Sequence, residues 1–237
     1  MGGLTYIDFL AKFGVGGAHP GGILLTKSML TQENIKPGAT ILDAGCGTGQ
    51  TAAYLSQHFQ ANVVGIELNP IMVEKARSRF QSLQLPVQLV QGSIENIPFP
   101  DNTFDFILCE SVLAFVNKPI ALNEFYRVLK NNGRLIANEM TINSKLSQSD
   151  EEEIKEFYAI DSLLLEEDWK RLLTDSGFQN IEINAPYMDL LQGSPSQEFN
   201  FSQNFEPELF SILNQHGNML VKYHDTLSHR AITCTKP

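Results

Sequence analysis

The segment Ile41-Leu42-Asp43-Ala44-Gly45-Cys46-Gly47-Thr48-Gly49 gathers residue types that can hold a charged nucleoside-like ligand. A β-like run over residues 39–44 precedes it, and an amphipathic stretch over residues 50–59 follows. A glycine loop carries meaning only in such a strand–turn–helix setting. Gly45 and Gly47 let the backbone turn tightly and let a ligand lie against it with no Cβ in the way. The helix amino end beyond adds unpaired N–H groups. The spacing is G-x-G-x-G, with Gln50 where a dinucleotide fingerprint has its third glycine. Asp43 stands just ahead of the loop; its carboxylate offers nothing to a pyrophosphate but suits an ammonium or sulfonium. Glu67 closes the next apolar run, where a carboxylate can accept both hydroxyls of a ribose. A strand-end carboxylate on a wet edge is the competing reading, and the loop before it favours the ribose. Leu68 and Ile94 are placed to flank an adenine, with ordinary core packing as the alternative for each.

Together these features favour S-adenosylmethionine (SAM) over NAD. Candidates for a general base are weaker. His19 sits in a glycine-rich leader able to fold over the ligand mouth, and a loop or cap histidine is the equal alternative. Glu110 follows the fourth strand, where an acceptor would approach; a structural carboxylate at a helix terminus is slightly preferred. Tyr223, His224 and His229 lie near the end, and histidine is the usual general base. His216, His224 and His229 lack a carboxylate or cysteine at ligand spacing, so no metal site is expected. Ser28 and Ser111 stand in no nucleophile-elbow pattern.

The elements that must position these residues alternate in type. Apolar runs over residues 39–44, 61–68, 87–91, 104–109 and 133–140 read as five strands. Between them, Ala52, Leu55 and Phe59 share one helical face, as do Met72, Ala76 and Phe80. Asn69-Pro70 and Asn117-Lys118-Pro119 read as helix starts. Asn131-Asn132-Gly133 reads as a left-handed helix end. Alternating strands and helices predict a mostly parallel sheet covered on both faces, with ligands at the strands' carboxyl ends. Further on, the acidic run at residues 150–153 reads as the first turn of a helix. Glu166-Glu167-Asp168 opens another, burying Trp169, Leu172 and Leu173. Residues 180–183 and 231–235 read as strands, which makes seven. Residues 186–220 are polar, marked by Gly193 and Pro195, with a helix over 205–215. We divide the chain into an N-terminal leader or lid (1–30) and one domain (31–237) with a substrate-side insertion at about 185–220. Leader and insertion are where substrate contacts belong, since attachments on a scaffold carry specificity.

The 237 residues, 43% hydrophobic and 19% charged, suffice for a core without disulfides and argue against disorder. No run is long and apolar enough to span a membrane, and the start lacks a signal-peptide pattern. A net charge of −10 opposes nucleic-acid binding, which rests on neutralising phosphates. Cys46, Cys109 and Cys234 form no disulfide framework, so a reduced, cytoplasmic setting is expected.

The span from 39 to 140 resembles the class I SAM-dependent methyltransferases, nearest the ubiquinone and menaquinone C-methyltransferases and small-molecule relatives. The resemblance rests on five ordered pieces. They are Asp43–Gly49, Val64–Pro70, Gln91-Gly92-Ser93-Ile94-Glu95-Asn96-Ile97-Pro98-Phe99-Pro100, Asp101-Asn102-Thr103-Phe104-Asp105, and Phe125-Tyr126-Arg127-Val128-Leu129-Lys130-Asn131-Asn132-Gly133. It implies a Rossmann-like, seven-stranded α/β fold. It implies that Asp43, Gly45 and the Cys46–Gly47 backbone hold the methionine part, with Glu67 on the ribose and Leu68 beside the adenine. Ser93 and Ile94 border the adenine edge, and the Cys109 carbonyl meets the methionine amine. The family often has Asp at the Ser93 position; serine makes the adenine contact weaker, with Glu95 or a water to compensate. Cys46 is a small loop residue there, not a nucleophile. The implied reaction is methyl transfer to a small-molecule acceptor, yielding S-adenosylhomocysteine (SAH). The 15 Phe residues hint at an apolar or aromatic acceptor. A non-catalytic SAM-binding scaffold, an NAD-dependent oxidoreductase and an RNA methyltransferase are the alternatives.

Overall fold

The computed structural model describes residues 3–185, 198–204 and 206–237. In chain order the elements begin with α1 (Tyr6–Phe13), β1 (Val15–Gly16), α2 (Gly22–Thr31), β2 (Thr40–Ala44), α3 (Gln50–Phe59) and β3 (Asn62–Glu67). Next come α4 (Pro70–Ser82), β4 (Gln88–Gln91), β5 (Phe104–Glu110), a 3-10 turn (Leu113–Phe115), α5 (Lys118–Val128) and β6 (Leu129–Ile142). The rest are α6 (Gln148–Tyr158), α7 (Glu166–Asp175), β7 (Gln179–Asn184), β8 (Glu198–Phe199), α8 (Glu208–Lys222) and β9 (Leu227–Thr235).

Side chains alternate across the strands, so each strand feeds two cores. Ile41, Val63, Leu108 and Ile136 pack with α2, α3 and α4 through Leu25, Leu30, Leu55 and Phe80. Leu42, Val64, Ile107 and Leu135 point the other way, onto Leu122, Phe125, Trp169 and Leu173 of α5 and α7. The main sheet has seven strands in the order β4-β3-β2-β5-β6-β9-β7. β2 through β6 are parallel, with Leu42 beside both Val64 and Ile107. β9 runs antiparallel to both neighbours, β6 and β7. This is the doubly covered α/β sheet expected from the alternation of elements, and its strand order reverses between β2 and β5.

Helix starts follow their capping chemistry. Asn69 Oδ1 accepts from the amides of Ile71 and Met72, and Asn117 Oδ1 from that of Ile120. The acidic run opens α6 behind an N-cap at Ser147, and Trp169 and Leu173 of α7 are buried while Leu172 is half-buried.

Local readings change at the end of α5 and in the polar stretch. α5 stops at Val128, because Leu129 already runs extended into β6; within 131–133 it is Asn132, not Gly133, that is left-handed. The polar stretch contributes β8 and a helix running from Glu208 to Lys222, later and longer than residues 205–215; Phe205, Gly193 and Pro195 lie outside the described residues. The glycine-rich leader folds largely as helices. It holds α1, locked by a reciprocal Thr5–Asp8 cap, and α2, whose Leu25, Met29 and Leu30 enter the main core. Residue 30 therefore falls inside a core helix, and the part of the leader outside the core is α1 and β1.

Those outlying pieces converge over the carboxyl ends of the strands. Phe9, Leu10 and Phe13 of α1 pack with Leu209 and Ile212 of α8 and Met72 of α4. Ile154 and Tyr158 of α6 pack with Met219 of α8. β1 pairs with β8, Val15 opposite Phe199 and Gly16 opposite Glu198.

Candidate active site

At the reversal of strand order, a cavity of about 510 Å³ opens between the ends of β2, β3 and β5. Open α/β sheets bind ligands at this position. Asp43, Gly45, Cys46, Gly47, Glu67 and Leu68 line it from the first two strand ends, and Ser93 and Ile94 from the turn after β4. His19 and Glu110 line it as well. Cys109 is expected to offer its backbone carbonyl, and its side chain plays no part in the cavity. It does not line this cavity; its side chain is fully buried, with Sγ 3.5 Å from Glu139 Oε1. β5 continues one residue further, so Glu110 and Ser111, rather than Cys109, form the strand end at the cavity wall.

The loop is held by its glycines. Gly45 has φ +78°, and a Cβ there would collide with Val112; Gly47 has φ +52° and opens onto free space. The amides of Gly45 and Cys46 both donate to Ile66 O, at 2.8 and 3.0 Å. The Cys46 thiol lies under Gly65 and is pushed well up by burial, with the Asp43 and Glu67 carboxylates adding to the shift, so it is an inert packing group.

Glu67 is fixed by the backbone: Oε2 accepts from Gly47 N–H at 3.0 Å and Oε1 from Asn69 N–H at 2.7 Å. Burial raises its pKa, opposed by the amides of Asn69, Gly47 and Leu68. Each oxygen keeps a further lone pair. Asp43 is buried, and its Oδ2 has no partner. Its pKa is raised well above the ordinary range by desolvation, then by Glu110, and less by Glu67, against the Ala52 amide. Thr48 Oγ1 and Gln50 Oε1, on residues of the same wall, are also buried and unpaired. An unpaired buried carboxylate among further carboxylates fits a cationic, hydrogen-bonding ligand.

Leu68 is 65% exposed at the mouth, whereas Ile94 is buried. Ser93 Oγ accepts from the Glu95 amide at 3.1 Å, so it already caps its own turn. Glu95 does not compensate there: its carboxylate turns away to accept from Asn117 N–H and does not line the cavity.

His19 and Glu110 meet. His19 Nε2 lies 3.4 Å from Glu110 Oε2, with both side chains almost fully enclosed. Thr26 and Thr51 hydroxyls donate to the same carboxylate at 2.7 and 3.1 Å, so Glu110 is tied to α2 and α3 through side chains. Asn138 Nδ2 contacts His19 Nδ1 at 3.3 Å and donates to Pro20 O at 2.9 Å. No pattern in the sequence marks Thr26, Thr51 or Asn138 as partners of this pair. Thr26 stands 84 residues from Glu110, and no spacing signals such a pairing.

A second cavity, about 370 Å³, adjoins the first and shares Leu10, Val15, Gly17, His19, Ser111 and Phe115 with it. His216 and His229 line this second chamber, while His224 is exposed beside Asp225. Tyr223 instead donates its hydroxyl to Asp150 and Glu153, away from both cavities.

Comparison with known proteins adds to this geometry. A family model described as a methyltransferase domain matches residues 42–137, which spans β2 to the middle of β6. An "Uncharacterized methyltransferase YodH" of Bacillus subtilis is 36% identical over 224 residues, 94% of this chain and 96% of that protein. Phosphoethanolamine N-methyltransferase 3 of Arabidopsis thaliana is 32% identical over 139 residues, covering 58% of this chain and 28% of that enzyme. In fold the chain is similar to Haemonchus contortus phosphoethanolamine N-methyltransferase 2 in complex with S-adenosyl-L-methionine. The TM-score is 0.78 at 19% identity, over 98% of this chain and 57% of that one. The near full-length relationship and the matched domain, on a sheet whose glycine loop faces an acidic cavity, place this chain in the class I SAM-dependent methyltransferase family.

Proposed function

We propose that this methyltransferase holds SAM in the 510 Å³ cavity and passes its methyl group to a small molecule seated in the adjoining chamber. The carrying observation is the pairing of the glycine loop with the unpartnered carboxylate oxygen of Asp43. In this reading Asp43 and the Gly45–Gly47 backbone receive the charged methionine portion. Glu67, pre-set by two amides, accepts the ribose hydroxyls, and Leu68, Ser93 and Ile94 border the adenine. When bound, SAM supplies a methyl group already activated on a sulfonium, so the chain's work is to bind, align and exclude water. Cys109 contributes at most its backbone, since its side chain turns into the core.

His19 and Glu110 stand where the two cavities meet. The enclosed imidazole–carboxylate pair pins the leader to the strand end, with both ring nitrogens of His19 engaged by Glu110, Asn138 and Pro20. We assign α1, β1 and the turn carrying His19 as the lid, with β8 and α8 of the insertion as its partner. The mostly apolar chamber supports the finer placement beside the ubiquinone and menaquinone C-methyltransferases. The three free cysteines, all buried, support a cytoplasmic setting. No helix among the described residues is long and apolar enough to cross a membrane.

Calorimetric titration with SAM, SAH and NADH in parallel tests the cofactor assignment. Binding of SAM and SAH without NADH is expected; binding of NADH alone would overturn it. Release of SAH on supplying an acceptor then separates a turning-over enzyme from a silent scaffold.

A further inference from the structure

The second chamber differs in chemistry from the first. The 510 Å³ cavity has three carboxylates on its wall. Among the described residues lining the 370 Å³ chamber, none is Asp, Glu, Lys or Arg. Its body is apolar, built from α1, α6, α8 and the 3-10 turn, with Phe9, Phe115, Met140 and Leu213 among its walls. A phosphate or ammonium placed there would lose its hydration with no opposite charge to meet it.

Several polar groups in the chamber are engaged. His216 Nδ1 pairs with the Tyr158 hydroxyl at 2.9 Å. His19 is held at both ring nitrogens, by Glu110 on one side and by Asn138 and Pro20 on the other. His229 differs, because its Nε2 is buried and has no partner. Burial, then Arg230 and His19, lower the His229 pKa, and burial lowers that of His216, so both favour the neutral form. A buried ring nitrogen left unpaired is costly, and a ligand that satisfies it gains accordingly. A neutral imidazole nitrogen is a donor or an acceptor according to tautomer. A hydroxyl can play either part, so it answers both tautomers.

We infer that the chamber selects an uncharged, largely apolar acceptor bearing a hydroxyl group, which His229 Nε2 positions by a hydrogen bond. This rests on the reading that the neighbouring cavity takes SAM and names the acceptor class for that same site. It separates this chain from relatives whose printed acceptor is phosphoethanolamine.

The test uses the full chain, with and without saturating SAH, and three probes. They are 2-naphthol, its methyl ether 2-methoxynaphthalene, and phosphoethanolamine. Calorimetry is expected to rank 2-naphthol first, with phosphoethanolamine at least tenfold weaker or silent. His229→Leu should cost 2-naphthol about tenfold and leave the methyl ether within twofold, with SAH affinity unchanged. In ¹⁵N spectra the His229 ring nitrogens should shift on adding 2-naphthol and not on adding phosphoethanolamine. Leu213→Trp, which fills the chamber from α8, should abolish naphthol binding while SAH still binds. Tighter binding of phosphoethanolamine, or equal loss of naphthol and its ether in His229→Leu, would overturn the inference. If SAH fails to bind while naphthol does, the cofactor reading falls and the chamber assignment stands.

Discussion

Glu139 is the buried group whose chemistry reaches furthest beyond its own position. It lies on β6 with no exposed surface, and its Oε1 accepts from the amides of Val112 and Leu113, both at 3.1 Å. Val112 in turn is the residue a Cβ on Gly45 would strike, so Glu139 sets the wall against which the glycine loop turns. Burial pushes its pKa from 4.5 to about 7, against the pull of the two amides, and Oε2 has no partner. A carboxyl with a raised folded pKa binds its proton more tightly in the folded chain. The stability it contributes is whole below about pH 4.5 and is lost as pH rises through 7. Linkage puts that loss at about 3 kcal/mol by pH 8. Glu139→Gln keeps the acceptor for both amides and removes the titration. Its melting temperature between pH 5 and 8 should therefore vary less than that of the parent; parallel curves would refute the assignment. The loop itself offers a second test. Gly45→Val would combine a left-handed φ with a clash on Val112, so it disturbs the fold as well as binding. Gly47→Ala meets nothing in the protein and costs about 1 kcal/mol in backbone strain. It and Glu67→Ala should each weaken SAM binding at least tenfold, with the melting temperature of Gly47→Ala lowered by only about 2–4 °C. Asp43 adds a proton signature. Its pKa is raised by burial and by Glu110, and a cationic ligand reverses that shift. SAM binding should release protons, visible as calorimetric heats that change with the buffer's ionisation enthalpy.

At the scale of elements, the lid is held by side-chain packing of α1 on α8 and α4 and by only a short strand pairing. β1 and β8 are two residues each. Glu198 on β8 reaches the core through Arg79 Nη2 at 2.8 Å and Gln50 Nε2 at 2.9 Å. Gly14, with φ +62°, lets α1 end directly beneath Asn200, whose backbone a Cβ would strike. Gly14→Ala should therefore free α1 while sparing the sheet. Hydrogen exchange across residues 6–13 should speed up at least tenfold, and β2 to β6 should stay protected. Equal acceleration in both regions would show that α1 belongs to the main cooperative unit. The sequence pattern marked the strands and the helices between them well, because apolar period and capping residues act locally. It did not mark α1 as a helix packed on α8, since that pairing joins residues almost two hundred positions apart.

For the whole molecule, helices bury both faces of one sheet, and the cavity sits where the lid joins that scaffold. A ligand that binds only the folded chain raises its stability by about 2.7 kcal/mol at a hundredfold excess over Kd. For a chain of this size that is a rise of roughly 5–10 °C in melting temperature. SAH should produce it and NADH should not, measured by scanning calorimetry.

The sequence alone determined the sheet, its helices, the glycine loop and the two carboxylates at the strand ends. Each depends on near neighbours: alternation sets strand faces, Asn and Pro start helices, and glycine permits the turn. Position along the chain also placed Ile94 beside the adenine, and family resemblance added Ser93. Tertiary structure decided what no spacing records. It turned Cys109 into the core, sent Glu95 to a helix start, and joined His19 to Glu110, Thr26 and Thr51. It also brought α1, α6 and α8 together around a chamber in which His229 Nε2 is left without a partner. Those outcomes depend on packing between distant segments, and burial there, more than residue type, sets which groups stay neutral and which stay unpaired.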